Sequence, residues 1–335
     1  MARLRLQRLL VTGGAGFIGS AFVRDRLRAD PEISIIVLDK AEHSAVDDQF
    51  DNARNDPRLR VVHGDICESE TVNSLASDVD AIVNFAIEGD PEGSGKDPQA
   101  AVTTNVYGTH VLLEAARKYR HQRYLQISAD AVYEWAREGR NREDDRLGPR
   151  TPFAASKAAA DLLVSSYHTS FDLPALVARG CQTYGPYEQP HGSVASFITN
   201  ALQGLPLVIH GDGSDQRDYI HVDDHVSAIA RVLWKGEPGG VYNIASNDEI
   251  RTVDLADTVL RLCGKPPSLK QFVKDKSREA YRYSMDFRRA RGLGWEPQVR
   301  LPDGLRLTVE WFKKHESWWR RGRDGQGAFA GLGGV

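Results

Sequence analysis

The chain has 335 residues, 41% of them hydrophobic, enough for a substantial core in one large or two modest domains. Its 43 basic and 46 acidic residues leave a net charge of −3, which gives no general pull toward nucleic acid or an anionic membrane. Three widely spaced cysteines, Cys67, Cys181 and Cys263, suit neither a disulfide framework nor a zinc site and point to a reducing cytoplasm, and no apolar run reaches the roughly 18 residues of a membrane span.

The first strand begins almost at once, which is read as leaving no room for a signal peptide. Residues 7–19 read Gln-Arg-Leu-Leu-Val-Thr-Gly-Gly-Ala-Gly-Phe-Ile-Gly. Leu9–Val11 is the short apolar run of a buried parallel strand. Gly13, Gly16 and Gly19 follow at three-residue spacing and open a helix with Phe17, Ile18, Phe22, Val23 and Leu27 on one face. Strand, glycine turn and helix N-terminus make an anion site. Backbone N–H groups and the positive helix end face a pyrophosphate, and the missing side chains let it come close. Asp39 ends the next apolar run, Ile35–Leu38, about 20 residues on. A carboxylate there accepts hydrogen bonds from the adenosine ribose hydroxyls and favours NAD over NADP. A structural βαβ unit without ligand is the alternative reading of the same glycines.

Strands and helices then alternate, which predicts an α/β fold: a doubly wound parallel sheet with helices on both faces. Leu59–His63 is the third strand, and Gly64-Asp65-Ile66 after it is placed to meet the adenine ring. Ala81–Phe85 is the fourth, with Ala86 near the cofactor. Residues 87–97 read as a loop, Pro98–Arg120 as a helix, Arg123–Ile127 as the fifth strand and 136–150 as a polar loop. Thr151-Pro152 opens a helix to about Thr169, proline suiting a first turn. Ala175–Arg179 is the sixth strand. Residues 180–193 read as a loop over the site, followed by a short helix at 194–204, a strand at Leu207–Ile209 and a loop at Gly211–Asp215. Val222–Trp234 is helix, Val241–Ile244 strand, Thr252–Cys263 helix, and a last amphipathic helix runs from about Pro302 to Trp319. The glycine-rich tail from Arg321 reads as disordered. The expected division is a dinucleotide-binding domain at 1–180, to which segments around 215–245 return, a smaller C-terminal lobe at 181–320, and the tail at 321–335.

With these motifs in order, the chain resembles the extended short-chain dehydrogenase/reductases, the NAD-dependent epimerase/dehydratase family, and among them the dTDP-glucose 4,6-dehydratases. The resemblance covers roughly residues 7–320. It rests on the glycine turn, Asp39-Lys40, Gly64-Asp65-Ile66, Asn105-Val-Tyr-Gly-Thr, Tyr184-Gly185-Pro186-Tyr187, Gly211-Asp212-Gly213, Arg217-Asp218, Val222-Asp-Asp-His225 and Tyr242-Asn243-Ile244. It implies a Rossmann-type domain with a smaller nucleotide-sugar-binding α/β lobe, and NAD as a transient hydride carrier. The implied cofactor contacts are Gly13, Gly16, Phe17, Ile18, Gly19, Asp39, Lys40, Asp65, Ile66, Phe85, Ala86, Thr104 and Lys157. Gln182, His191, Arg217 and Arg282 occupy substrate-facing positions; a guanidinium fork suits a diphosphate, although an arginine can equally serve a surface ion pair. The resemblance also implies a homodimer through helices near 98–120 and 152–169, while charge, hydropathy and cysteine spacing give the expectation of no nucleic-acid, membrane or metal partner.

The proton-handling groups depart from that pattern. The family's Tyr-x-x-x-Lys is here Phe153-Ala-Ala-Ser-Lys157, and its Thr-Asp-Glu-Val-Tyr-Gly is Ala129-Asp130-Ala131-Val132-Tyr133-Glu134. The acid–base residues left are Asp130 and Lys157, with His191 and Tyr133 as further candidates. Each has a plainer role open to it: a turn cap for Asp130, a ribose contact for Lys157, a solvated loop for His191, packing for Tyr133. One positioned acid or base contributes roughly 10²–10⁴-fold, so losing tyrosine and glutamate together removes the standard 4,6-dehydration. Three readings follow. The chain is a diverged enzyme acting on a nucleotide deoxy- or keto-sugar in deoxysugar or antibiotic-type metabolism. It is a catalytically inactive binding or regulatory homologue. Or it is a deliberately inactivated dehydratase, against which the changes at Gly89, Gln182, Thr183, Gly192 and Glu134 speak.

Overall fold

In a computed structural model, which describes residues 4–40, 49–88, 97–190, 193–274 and 281–323, the chain folds around a seven-stranded, wholly parallel sheet. The elements that build its first half are β1 (Arg8–Thr12), α1 (Phe17–Ala29), β2 (Ser34–Asp39), β3 (Leu59–His63), α2 (Ser69–Ala76) and β4 (Ala81–Asn84). After them come α3 (Pro98–Val102), a π-helical segment (Thr103–Gly108), α4 (Thr109–Lys118), β5 (Arg123–Ala129), α5 (Pro152–Phe171) and β6 (Ala175–Gly180). β10 (Val241–Ile244) completes the sheet, in the order β10-β6-β5-β4-β1-β2-β3. The order reverses between β1 and β4. A crevice therefore opens at their carboxyl ends, where doubly wound folds take ligands.

The central strands β1, β4, β5 and β6 are buried on both faces because helices cover both, whereas the edge strand β3 is only partly buried. One face buries Phe22, Val23 and Leu27 of α1 against Val226, Ile229 and Leu233. The other buries Val72, Val111, Leu112 and Val164. α5 starts where proline and its cap dictate: the Thr151 hydroxyl accepts the Ala154 N–H at 3.1 Å, and Pro152 sits in the first turn. It stops at Asp172, which takes a left-handed conformation.

A third core holds the remaining segments together through Val194, Ile198, Leu255, Val259, Leu305 and Phe312. The remaining elements are β7 (Gln182–Tyr184), α6 (Ser193–Gln203), β8 (Leu207–His210), β9 (Gln216–His221), α7 (Val222–Lys235), β11 (Glu249–Arg251), α8 (Thr252–Cys263), β12 (Lys270–Val273), β13 (Arg282–Tyr283), α9 (Arg288–Gly292), α10 (Leu301–Lys314) and α11 (Glu316–Arg323). Of these, α7 and α9 lie against the large sheet, in the first core. β9 is the hub of a small sheet, pairing with β7, β11 and β13.

Three expectations need correction. Part of the segment read as a loop, residues 182–184, pairs with β9 as a strand. The helix read as continuous over 98–120 contains a π segment. There Asn105 turns inward and binds the Glu88 backbone through both amide atoms, and Gly108 packs so closely on Ile66 that a Cβ would lie 2.6 Å from its Cγ1. The last helix is two helices, broken at His315, whose Nδ1 bonds the Trp311 carbonyl. The tail beyond Arg323, most of loop 87–97, and His191 and Gly192 lie outside the described residues.

Candidate active site

The crevice begins with the glycine turn. Gly13 adopts φ +67°, and a Cβ there would lie 2.6 Å from the Cα of Ala86. Only glycine lets the ends of β1 and β4 approach so closely. On Gly19 a Cβ would meet the Gly14 Cα at 2.9 Å, so the first turn of α1 stays bare, its N–H groups aimed outward. Asp39 Oδ2 accepts the Ala15 N–H at 2.8 Å, which ties the acidic end of β2 to the same turn. Below it Thr12, Asn84 and Gln126 form a buried polar chain: Thr12 Oγ1 donates to Asn84 Oδ1 at 2.6 Å, and Asn84 Nδ2 to Gln126 Oε1 at 3.0 Å. The motif reading missed this chain, because its members come from three strands.

Lys40 pairs with Asp65 at 2.9 Å beside the mouth of the crevice. Burial alone would raise the Asp65 carboxyl, but the Cys67 N–H and Lys40 outweigh it and hold it below its ordinary range. Ile66, Phe85 and Thr104 are buried around the same opening. The bare cradle, the carboxylate at the end of β2 and Lys157 at the end of the crevice are a donor and acceptor set that fits a dinucleotide.

The candidate acid–base residues Asp130 and Lys157 sit at the carboxyl end of β5. Asp130 is 5% exposed, and its Oδ2 has no protein partner. Burial pushes its carboxyl up to about 6, against the pull of Arg217 and with the push of Asp218. Lys157, 3% exposed, donates from Nζ to the Ile127 carbonyl at 2.6 Å. Burial lowers its ammonium to about 8, with Asp161 opposing the shift. Phe153 lies one helical turn before it, buried and without a polar atom.

Tyr133 is not free to move protons. Its hydroxyl accepts from Arg179 at 2.7 Å and donates to Asn243 Oδ1 at 2.9 Å, and burial pushes it up to about 12. Arg282 binds Glu249 through two nitrogens, at 2.6 and 2.8 Å, and also bonds the Ala136 and Gly139 carbonyls. This guanidinium braces a loop, which answers the phosphate expectation with an internal ion pair. Arg217 is different. It donates to Gln182 Oε1 at 3.2 Å and to the Tyr281 hydroxyl at 3.4 Å, and lies 5.1 and 5.2 Å from the Tyr281 and Tyr283 ring centres. Trp135 stacks on Tyr281 at 5.6 Å and donates to the Tyr283 hydroxyl at 3.0 Å. Sequence reasoning missed Trp135, Tyr281, Tyr283, Asp161 and Arg179. Aromatic residues scattered among polar ones give no periodic signal, and the partners are far apart in the chain.

Among the described residues no group of three or more His, Cys, Asp or Glu could hold a metal ion, and no helix is long and apolar enough to cross a membrane. The sheet order, the crevice and the Lys157 position define a nucleotide-dependent short-chain dehydrogenase/reductase. The chain belongs to the NAD dependent epimerase/dehydratase family, whose model matches residues 9–245. It is 40% identical over 304 residues to the low-salt glycan biosynthesis protein Agl12 of Haloferax volcanii, covering 91% of this chain and 98% of that one. It is 39% identical over 317 residues to a dTDP-glucose 4,6-dehydratase of Streptomyces niveus, covering 93% and 94%. The crystal structure of DesIV, a dTDP-glucose 4,6-dehydratase from Streptomyces venezuelae with NAD bound, superposes with a TM-score of 0.90 at 39% identity over 94% of this chain and all of that one.

Proposed function

We propose that the protein binds NAD in the crevice of residues 1–180 and a nucleotide deoxy- or keto-sugar against the 181–320 lobe, and modifies that sugar by a non-standard acid–base arrangement. The observation that carries this reading is the pairing of an intact glycine cradle and buried Lys157 with a hydrocarbon, Phe153, one turn before the lysine. When bound, NAD supplies a hydride acceptor and donor at its nicotinamide. Gly13, Gly16 and the first turn of α1 take the pyrophosphate, and Asp39 the adenosine ribose. Arg217, beside the Tyr281 and Tyr283 rings, meets the sugar diphosphate.

A substrate that already carries a ketone needs no deprotonation of a hydroxyl. Its neighbouring C–H is acidic, and Asp130 takes that proton, a role supported by its ionisation above about pH 6 and its unpartnered Oδ2. Epimerisation or elimination then follows without the missing phenol. Phe153 and Ala131 also support the second reading, a sugar-nucleotide-binding homologue without turnover. The unpaired state of Cys67, Cys181 and Cys263 fits a reducing cytoplasm.

The test has two parts. Calorimetric titration with NAD is expected to give saturable heat, and its absence would overturn both readings. Turnover on a panel of nucleotide sugars is expected with 4-keto members and negligible with dTDP-glucose. Its pH profile is expected to be a bell with limbs near 6 and 8, Asp130 acting ionised and Lys157 protonated. Consumption of no panel member leaves the binding homologue as the answer.

A further inference from the structure

Lys157 sits in a buried row of charges. Phe153 is one turn before it on α5 and Asp161 one turn after, so the three share a helix face. Asp161 is the nearest carboxylate on that face, yet it is committed elsewhere: Arg179 Nε, from β6, donates to its Oδ2 at 2.8 Å. Arg179 in turn holds the Tyr133 hydroxyl at 2.7 Å. Lys157, Asp161, Arg179 and Tyr133 are all buried. Two cations thus share one carboxylate in a space from which water is excluded. The guanidinium cannot give up its proton, and its fork fits the carboxylate better than an ammonium does. The lysine is therefore the group whose proton is loosely held. Its one protein acceptor is a backbone carbonyl, Ile127 O at 2.6 Å, which leaves other N–H bonds to offer.

The remaining surroundings of Lys157 do not change this balance. The turn after β5 brings Asp130 and β6 brings Arg179, while residues 98–108 carry no charged side chain. Where a phenol would stand, Phe153 supplies only ring carbons.

We infer that Lys157 donates a proton to a substrate ketone oxygen, and that Asp161 and Arg179 are positioning residues that set how tightly it holds that proton. The inference rests on the keto-sugar reading above. In the step, Asp130 removes the proton from the carbon beside the ketone, breaking C–H and forming O–H on the carboxylate. The C–H electron pair becomes the C=C bond. The carbonyl π pair moves onto oxygen and takes a proton from Lys157 Nζ, leaving an enol and a neutral amine. Loss of a hydroxyl on the next carbon completes an elimination: the enol O–H proton returns to Lys157 as the C=O re-forms, the C–O bond breaks, and the leaving oxygen takes the Asp130 proton as water, so no external oxidant or reductant is needed. Burial makes the ammonium acidic enough to complete the transfer near neutral pH, and Arg179, by engaging Asp161, keeps that carboxylate from undoing the effect.

The experiment reads the lysine directly. Protein labelled with 13C-lysine is titrated by NMR, with the Lys157 Cε resonance assigned by its loss in Lys157→Arg. The wild-type midpoint is expected near 8. Asp161→Asn is expected to lower it and Arg179→Met to raise it, each by about one unit or more, since one removes an attractive charge and the other frees Asp161 for the lysine. If Arg179→Met does not fold, Asp161→Asn carries the test alone. In parallel, deuterium incorporation beside the ketone of 4-keto nucleotide sugars is followed against pH. Its alkaline limb is expected to track the Lys157 midpoint and to move to lower pH in Asp161→Asn. A wild-type midpoint near that of free lysine, or one that Asp161→Asn does not move, overturns the inference even if exchange proceeds. Shifted midpoints without exchange on any 4-keto nucleotide sugar, while NAD still binds, overturn the enzyme reading and the donor role with it.

Discussion

Asp130 pays for its place in the site with stability. Its carboxyl has an ordinary value of 3.8 and is raised to about 6 by burial. A raised folded value means the folded chain keeps the proton longer than the unfolded one. The stabilising contribution is complete below 3.8, falls as pH rises between that value and about 6, and is gone above it. Asp130→Asn removes the ionisation, so we expect a higher melting temperature at pH 7.5, corresponding to at most about 3 kcal/mol, and no gain at pH 4. Turnover is expected to drop roughly 10²–10⁴-fold in the same variant. Equal gains at both pH values would show that the carboxylate is not strained in the fold. At this scale the sequence exposes single residues and hides their partners. Asp130, Lys157 and Arg217 stand out because they fall in ordered motifs. The commitment of Tyr133 to Arg179, 46 residues on, and of Arg282 to Glu249 across two strands has no local trace.

The glycine turn sets a cost that depends on its surroundings and not on backbone angle alone. Gly13 and the exposed Gly139 have nearly the same φ, +67° and +64°. Around Gly139 a Cβ meets nothing within 4 Å, while at Gly13 it runs into the Ala86 backbone. Gly139→Ala should therefore cost only the left-handed conformation, roughly 1–2 kcal/mol. Gly13→Ala should cost more, because β1 and β4 must separate, and should weaken NAD binding at least tenfold by calorimetry. Equal losses of stability would mean that the close approach carries no weight. The elements themselves were legible wherever burial is two-sided. β1, β2, β4 and β6 carry short apolar runs, and most of the helices between the strands keep a regular period. β9, β11 and β13 were not, since Gln216–Asp218, Glu249–Arg251 and Arg282 are polar and gain their strand character from each other. The π segment escaped because its cause is the inward turn of Asn105 onto Glu88.

The whole molecule carries an apolar surface that its own fold does not cover. Val102 and Tyr107, in the segment 98–108, are 52% and 51% exposed, and Leu162 and Phe171 of α5 are 63% and 51% exposed. On α5 the opposite side is fully occupied by Ala154, Lys157, Ala158, Asp161 and Val164, so Leu162 cannot turn inward without moving Lys157. At about 100° per residue Phe171 falls on the opposite side of α5 from Leu162, so the surface expected to be covered is that of Val102, Tyr107 and Leu162, which a two-fold axis would let cover itself. The helices that carry this patch are those whose inner faces hold Asn105, Ser156 and Lys157; Asn105 Nδ2 donates to Ser156 Oγ at 2.9 Å, joining them. Dimerisation would thus clamp the helix on which the lysine rides. We expect the protein to sediment as a homodimer and Leu162→Asp to sediment as a monomer, with the charge exposed in the monomer but buried in the dimer. The variant should keep its fold by circular dichroism and bind NAD, while turnover falls because α5 is no longer held from outside. A wild-type monomer at micromolar concentration, or a Leu162→Asp dimer, would place the contact elsewhere and remove this link between assembly and the site.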